Sequence, residues 1–499
     1  MGLPFATHLT GPRPSTASPY PRGRSAANAA PWFAGMTLVL GACSLAPPLK
    51  VPDVPTAEAY KEQGPWTQAE PADRLPRDSW WNLYATAELD DLAKRLIAGN
   101  PSLAAALANY AAAKAQSDQA RAGLFPTIGA NSSVSRARES VNTPLIGPTT
   151  PRYYDDNVVS GSVSYELDLW GQIRNQVLEG RANAAATAAD LENARLSLLA
   201  QLVDDYVQLR SMDRDSAILA DTVNAYVHAL SITQQRHGAG IAAGLDVAQA
   251  QTQLDAARSS AAQILAQRAL MEHAIAALLG VSPSTFSIKP AIVRVALPQV
   301  PTGLPTTLLE RRPDIAAAQR RMIASNANIG VARAAYFPQI SLGGQGGFQS
   351  TAFSNWLSAP SSYWGIGPNA LLNLFDGGLR RAQVRQARAE FDAAAANYRG
   401  TVIAAFQQVE DSLASLNHYH DAADRELAAV EAAQRTLNLS MALYVQGAAD
   451  YLTVVTSQTA LLQAQQRALD LDTLQLQSSV DLIRALGGGW EDSRRVAAR

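Results

Sequence analysis

One supersecondary unit occurs twice in this chain of 499 residues, and that duplication limits the fold more than any other feature. The first copy runs from Arg236 through Gly240, Leu245 and Asp246 to Leu279 and Gly280; the second runs from Leu443 through Gly447, Leu452 and Thr453 to Leu486 and Gly487. Gly240 and Gly447, Leu245 and Leu452, Gln251 and Gln458, Leu254 and Leu461, and Gly280 and Gly487 are each 207 residues apart. A single offset held over so long a stretch is the mark of an internal repeat.

Each copy reads as a long helix, a glycine-containing turn and a returning helix. After the second turn Leu452, Val455, Thr459, Leu462, Gln466, Leu469, Thr473, Leu476, Val480 and Ile483 step by three and four without a break, which is a heptad seam. The arm from about Gly377 to Tyr444 has no proline and little glycine. At 1.5 Å per residue it reaches roughly 100 Å, longer than the core of any compact single domain. The repeat therefore predicts one elongated unit with long paired helices.

A formal net charge of −2 gives no electrostatic reason for a nucleic-acid partner. The hydrophobic content of 47% argues against disorder, and the low charged fraction of 17% suits Ala-rich helices in close contact. Cys43 is the single cysteine, so no internal disulfide and no cysteine-based metal site is available. Arg13, Arg22 and Arg24 precede the apolar run Trp32 to Ala42, which ends Leu40-Gly41-Ala42-Cys43. A basic region, a short apolar run and small residues before a thiol are the parts of a lipoprotein export signal. The expectation is a signal peptide over 1–42, a diacylglycerol on Cys43 and a lipid-anchored extended arm over 43–79. Ser44 follows the thiol in place of the Asp that retains lipoproteins at the inner membrane, which favours the outer membrane.

No other segment approaches the ~20 apolar residues of a membrane-spanning helix, so a bilayer is crossed here only by strands. Trp80-Trp81 open a helical region, and Asn100-Pro101 begins a helix through Ala122. The second half restarts similarly: Arg312-Pro313 lies 212 residues after Asn100-Pro101, and Phe337-Pro338 lies 212 after Phe125-Pro126. Beyond each Phe-Pro the period changes to two. Val159, Gly161, Val163, Tyr165 and Leu167 alternate with Ser160, Ser162, Ser164, Glu166 and Asp168, and Ile340, Leu342, Gly344, Gly346 and Phe348 form a comparable face. The pattern predicts strands at about 124–135, 158–169, 339–349 and 363–374, with aromatic residues (Tyr153, Tyr154, Trp356, Tyr363, Trp364 against Trp170, Phe375) at the two ends. Four strands cannot close a barrel, and open edges are not tolerated in hydrocarbon. Several chains must contribute to one barrel, and three copies give twelve strands.

Leu40-Gly41-Ala42-Cys43, Trp80-Trp81, Asn100-Pro101, the two Phe-Pro pairs, the paired turns and Leu308-Leu309-Glu310-Arg311-Arg312-Pro313-Asp314-Ile315 together resemble the TolC-like outer-membrane factor family, in its lipid-anchored NodT-type efflux branch. The resemblance covers nearly everything after Cys43. It implies an α+β membrane protein: a trimeric 12-stranded transmembrane β-barrel, four strands per chain, continued by a long α-helical coiled-coil periplasmic tunnel with an internal two-fold repeat. The implied division is a first repeat over 80–280, a crossing segment over 281–305, a second repeat over 306–487 and a tail over 488–499. The implied partners are two further copies in a homotrimer, a periplasmic adaptor (membrane fusion) protein, an inner-membrane transporter and outer-membrane lipid, with no nucleic acid and no cofactor.

By the same resemblance the two turns lie at the periplasmic tip, where inward-leaning helix pairs close the entrance. Gly238, Gly240, Gly244 and Gly447 become adaptor-contact candidates, and Tyr444 matches a family tyrosine of the constriction. The positions where some members carry pore-narrowing acids fall near Thr453 and Thr456, neither acidic here, which leaves Asp450 and Asp246 as the nearby carboxylates.

Catalytic patterns are missing from the sequence. His418 and His420 are about 200° apart around a helix and cannot chelate one metal from one face. Gly343-Gly344-Gln345-Gly346-Gly347 lacks the Lys-Ser or Lys-Thr of a phosphate loop, and no Gly-x-Ser-x-Gly elbow is present. Asp204-Asp205 and Glu410-Asp411 read as solvated or tunnel-facing charge. The expectation is a non-enzymatic exit duct for small molecules in a tripartite efflux pump. Its competitors are an outlet for type I protein or polysaccharide secretion and a lipid-anchored periplasmic coiled-coil scaffold.

Overall fold

The computed structural model describes residues 44–53, 60–62, 79–140, 142, 151–298 and 312–488. Cys43, the signal region and the Leu308 to Arg311 part of the second-half motif lie outside the described residues. Each half contributes a helix, two strands and two long helices in the same order, and the first half carries α1 ahead of them. The first has α1 (Ala87–Gly99), α2 (Pro101–Ala122), β1 (Thr127–Arg138), β2 (Tyr153–Glu166), α3 (Gln172–Gly238) and α4 (Gly244–Leu278). The second has α5 (Pro313–Ala334), β3 (Gln339–Ser350), β4 (Ser362–Leu371), α6 (Leu379–Gln446) and α7 (Tyr451–Ala485). Helices α2 and α5 are both 22 residues, α4 and α7 both 35, and α3 and α6 are 67 and 68. At 1.5 Å per residue the last two run about 100 Å. No helix among the described residues is long and apolar enough to cross a membrane.

The four strands form one antiparallel sheet in the order β1-β2-β3-β4. Its register aligns the apolar positions across all four strands: Ile128 faces Val163, which faces Gly344, which faces Ile366. One rung away, Ala130, Gly161, Gly346 and Trp364 line up in the same way. The other face carries Gly129, Ser162, Gln345 and Gly365. The apolar side is exposed, with Ile128 at 84% and Trp364 at 81% of full exposure, so none of the described residues covers it. Among the described residues β1 and β4 each keep one unpaired edge.

The strand limits differ from the sequence expectation for local reasons. β1 starts at Thr127 rather than near 124, because the amides of Leu124 and Phe125 still close turns onto Arg121 and Ala122. β2 covers Tyr153–Glu166 rather than 158–169. Its first five residues keep the ladder although their side chains are polar, and its end is set by Asp168, whose carboxylate accepts from the Ile173 and Arg174 amides to cap α3. β4 stops at Leu371 rather than 374 ahead of the equivalent device, Asp376 accepting from the Gly378 and Arg380 amides to start α6. β3, Gln339–Ser350, lies one residue from its expected end.

The repeat also survives in the joints. Asn100 caps α2 by accepting from the Leu103 amide and donates to the carbonyl of Leu278 at the end of α4. In the second half Arg312 grips Asp314 through two nitrogens and donates to the carbonyl of Ala485 at the end of α7. The Arg-Pro-Asp motif is thus a helix-to-helix tie, and a different residue makes the same tie in the first half.

Midway along the long helices the core gathers Trp80, Trp81 and Tyr84 from a short 3₁₀ turn with Leu89 and Leu96 of α1, Leu202 and Tyr206 of α3, Val402 and Val409 of α6 and Val480 of α7. Each large apolar side chain buried there contributes about 1.5–3 kcal/mol relative to exposure. The core is crossed by charge. Asp213 accepts from Arg210 and Arg268, both at 2.6 Å, and from the Ala291 amide at 3.1 Å, while the two arginines reach the carbonyls of Lys289 and Ile288. This fastens the inter-repeat segment to α3 and α4. Asp205, expected as solvated or tunnel-facing, is buried and accepts from Gln201, because its face of α3 turns into this core.

Candidate functional site

Both hairpin turns close by the same hydrogen-bond pattern. Gly240, at φ +74°, donates to His237 O while Ile241 donates to Arg236 O. Gly447, at φ +76°, donates to Tyr444 O while Ala448 donates to Leu443 O. These are paired C-terminal Schellman turns, and the left-handed backbone explains glycine at both positions. In the turn after α3 His237 Nδ1 lies 2.8 Å from Ala242 O; α4 starts at Gly244 with no side-chain cap, and Asp246 in its first turn supplies favourable charge at the helix N-terminus. The turn after α6 is tight, because Asp450 caps α7 by accepting from the Thr453 amide at 3.0 Å and the Thr453 hydroxyl at 2.5 Å. Those bonds, the hydroxyl's first, hold the Asp450 carboxyl below the usual carboxylate range.

Behind the turns Tyr226, Leu230, Ala250, Leu254, Tyr444, Tyr451 and Val454 form a small separate core joining all four long helices. Tyr444 and Tyr451 meet edge to face with ring centroids 5.2 Å apart. Arg236 of α3 lies over the Tyr444 ring at 4.9 Å and donates from Nη1 to Val445 O at 2.7 Å. The Tyr444 hydroxyl reaches Thr233 Oγ1 at 3.5 Å. Burial, then the neighbouring Tyr444, pushes Tyr451 up to about 12.

The structure brings Tyr444, Asp450, Thr453 and Asp246 to one end of the helix pairs, together with Gly238, Gly240, Gly244 and Gly447. Thr456 turns its hydroxyl back onto the carbonyls of Leu452 and Thr453. Around the turns Ile241 and Leu245 are each 66% exposed, and Leu443, Val445 and Leu452 are also open, so the tip is an apolar surface without cover among the described residues. Sequence reasoning missed Arg236, Thr233 and Tyr451. Tyr444 and Tyr451 are seven apart across the turn, which was the one available signal. Arg236 gave none, because its partner is a main-chain carbonyl 209 residues away.

The family described as Outer membrane efflux protein matches residues 92–281 and 304–488. The chain is 30% identical over 456 residues to the probable efflux pump outer membrane protein TtgC of Pseudomonas putida, covering 91% of this chain and 94% of that protein. It is 31% identical over 463 residues to the outer membrane protein OprJ of Pseudomonas aeruginosa, covering 92% and 96%. The solved outer-membrane channel OprN superposes with a TM-score of 0.82 at 29% identity, covering 90% of this chain and all of that one.

Proposed function

The chain belongs to the outer membrane efflux protein family, and from that premise we propose that three copies assemble into one outer-membrane duct, held at the membrane by a lipid on Cys43. The protein is the outer-membrane component of an efflux pump, a transport duct rather than an enzyme, and it works with a periplasmic adaptor and an inner-membrane transporter. The observation that carries the trimer is the sheet: four strands, one apolar face in register across all of them, and two free edges. Pairing β4 of one copy with β1 of the next removes every edge, and twelve strands enclose a water-filled lumen.

The long helices prolong that lumen into the periplasm, and the tip around Gly240 and Gly447 closes it. Tyr444, Asp450, Thr453, Thr456 and Asp246 are the residues proposed at the constriction, and the exposed apolar rim beside Gly238, Gly240, Gly244 and Gly447 supports its assignment as the adaptor contact. The cargo class is small toxic molecules, by analogy with relatives named for antibiotic, toluene and solvent efflux.

Purified protein should migrate as a heat-modifiable trimer and give stepwise conductance in planar bilayers, and a deletion strain should gain susceptibility to dyes and antibiotics. A monomer that stays soluble without detergent and never conducts overturns the assembly. Labelling with radioactive palmitate that persists in Cys43→Ser overturns the anchor.

A further inference from the structure

α3 and α7 run antiparallel against each other and meet through a ladder of polar pairs. Thr473 Oγ1 lies 2.8 Å from Ser211 Oγ, Arg214 pairs with Asp472, and Gln466 donates to Asp215 at 3.2 Å. In each of these rungs a group of one helix complements a group of the other. The same antiparallel register brings Asp204 of α3 to the level of Asp481 of α7, so this rung carries two acids where the others carry complementary groups.

Asp204 Oδ1 is buried and makes no hydrogen bond among the described residues. The groups that act on it are Asp481 and Arg484 of α7 and its neighbour Asp205 on α3. Tyr84 from the 3₁₀ turn, whose hydroxyl is 2.8 Å from Ser479 Oγ of α7, feels the charges of Asp204 and Asp481 in turn. Arg484 binds Asp481 at 2.8 Å, and its charge offsets part of the repulsion that Asp204 meets there. A carboxylate with one buried oxygen that has no donor, beside a second acid, is unfavourable, and a proton relieves it.

We propose that this rung is a proton-dependent clasp: Asp204 carries a proton while α3 and α7 are packed, and its loss sets two carboxylates against each other and frees the α6/α7 pair to shift against α3/α4. The clasp rests on the reading of the entrance as helix pairs that move. Burial, followed by the Asp481 charge, pushes Asp204 up to about 7, so the clasp operates across neutral pH. The sign follows from linkage. A carboxyl raised above its unfolded value binds its proton more tightly in the folded protein, so stability falls as pH rises from the ordinary carboxylate range towards neutrality.

The test uses the full chain in detergent and in planar bilayers. The melting temperature of the wild type should fall by a few degrees between pH 5 and pH 8, the fall should vanish in Asp204→Asn, and it should move to lower pH in Asp481→Asn. Open-channel occupancy should rise severalfold from pH 6 to pH 8 in the wild type and stay flat in Asp204→Asn. Identical melting profiles for wild type and Asp204→Asn overturn the clasp. A melting difference of the expected kind without conductance from any variant sustains the clasp and defeats the channel reading instead. Should Asp204→Asn not fold, infrared difference spectra of the wild type decide: an aspartic-acid carbonyl band that titrates near neutrality supports the clasp, and one confined to acid pH overturns it.

Discussion

Arg236 of α3 binds the last turn of α6, donating to Val445 O at 2.7 Å with its guanidinium over the ring of Tyr444. Val445 O is one of the carbonyls that a helix end leaves without an internal partner, and a cation there also meets the negative end of the helix dipole. The first hairpin thereby supplies a cap to the second. On the proposed reading of the tip as an entrance, Arg236→Ala removes a charge-assisted hydrogen bond and a cation–π contact, together about 1–2 kcal/mol of the closed arrangement. Resting conductance should rise by roughly five- to thirtyfold. Arg236→Lys keeps the charge but not the planar fork, and should fall between the two. Equal resting conductance in Arg236→Ala and wild type would show that the contact does not restrain the tip.

Gly347 of β3 lies against the backbone of β2 so closely that a Cβ there would be 2.0 Å from Val159 O and 2.6 Å from Ser160 Cα. Main chain cannot step aside as a flexible side chain would, so Gly347→Ala should separate β2 from β3 at a cost of about 1–3 kcal/mol or more. The expected result is loss of heat-modifiable, membrane-integrated protein. Gly343, on the same strand, has nothing within 4 Å of its would-be Cβ, and Gly343→Ala should assemble like the wild type. Matching yields for the two variants would contradict this difference.

What the sequence disclosed is what repeats with a period. The 207-residue offset reappears in the Schellman turns at Gly240 and Gly447, and the alternation of apolar residues in β2 and β3 reappears as a single apolar face. What stayed hidden depends on neighbours far away in the chain. Asp213 and Asp205 sit on an Ala-rich helix whose buried side is set by several other segments, so their burial has no local signature. Asp168 and Asp376 shortened the expected strands because a carboxylate that caps the next helix looks, in sequence, like one more polar position in an alternating run. Tip residues named through the family resemblance came together in space, while Arg236, which ties the hairpins to each other, could not be read from any motif.

Asp213 holds the inter-repeat segment in place through Arg210, Arg268 and the Ala291 amide, with its side chain only 2% exposed. Asp213→Ala removes the anion that Arg210 and Arg268 share, leaving Arg210 with Glu88 and Arg268 with Glu272. Breaking a buried pair from one side costs about 3–5 kcal/mol when the remaining charge is uncompensated, and these two carboxylates bring the cost below that. The variant should show a markedly lower melting temperature, and limited proteolysis should open first within 282–298. A wild-type melting temperature with cleavage unchanged in that segment would mean that the network carries little of the attachment.

Asp450 serves two readings that experiment can separate. As the cap of α7 its carboxylate binds the Thr453 amide and hydroxyl, and those bonds keep it ionised to lower pH than an ordinary aspartate. A carboxyl lowered in this way contributes stability that is present above its unfolded value and disappears as pH falls through the folded one. Amides at the start of α7 should therefore exchange hydrogen faster at acid pH. Asp450→Ala should show the same fraying already at neutral pH, whereas Asp450→Asn, also a good cap, should not. As a pore-lining charge, by contrast, Asp450 matters through its sign: Asp450→Asn should lower cation selectivity of the conductance while leaving amide exchange untouched. Fast exchange in Asp450→Ala with selectivity unchanged in both variants would make the residue a helix cap alone and move the constriction charge to Asp246, in the first turn of α4.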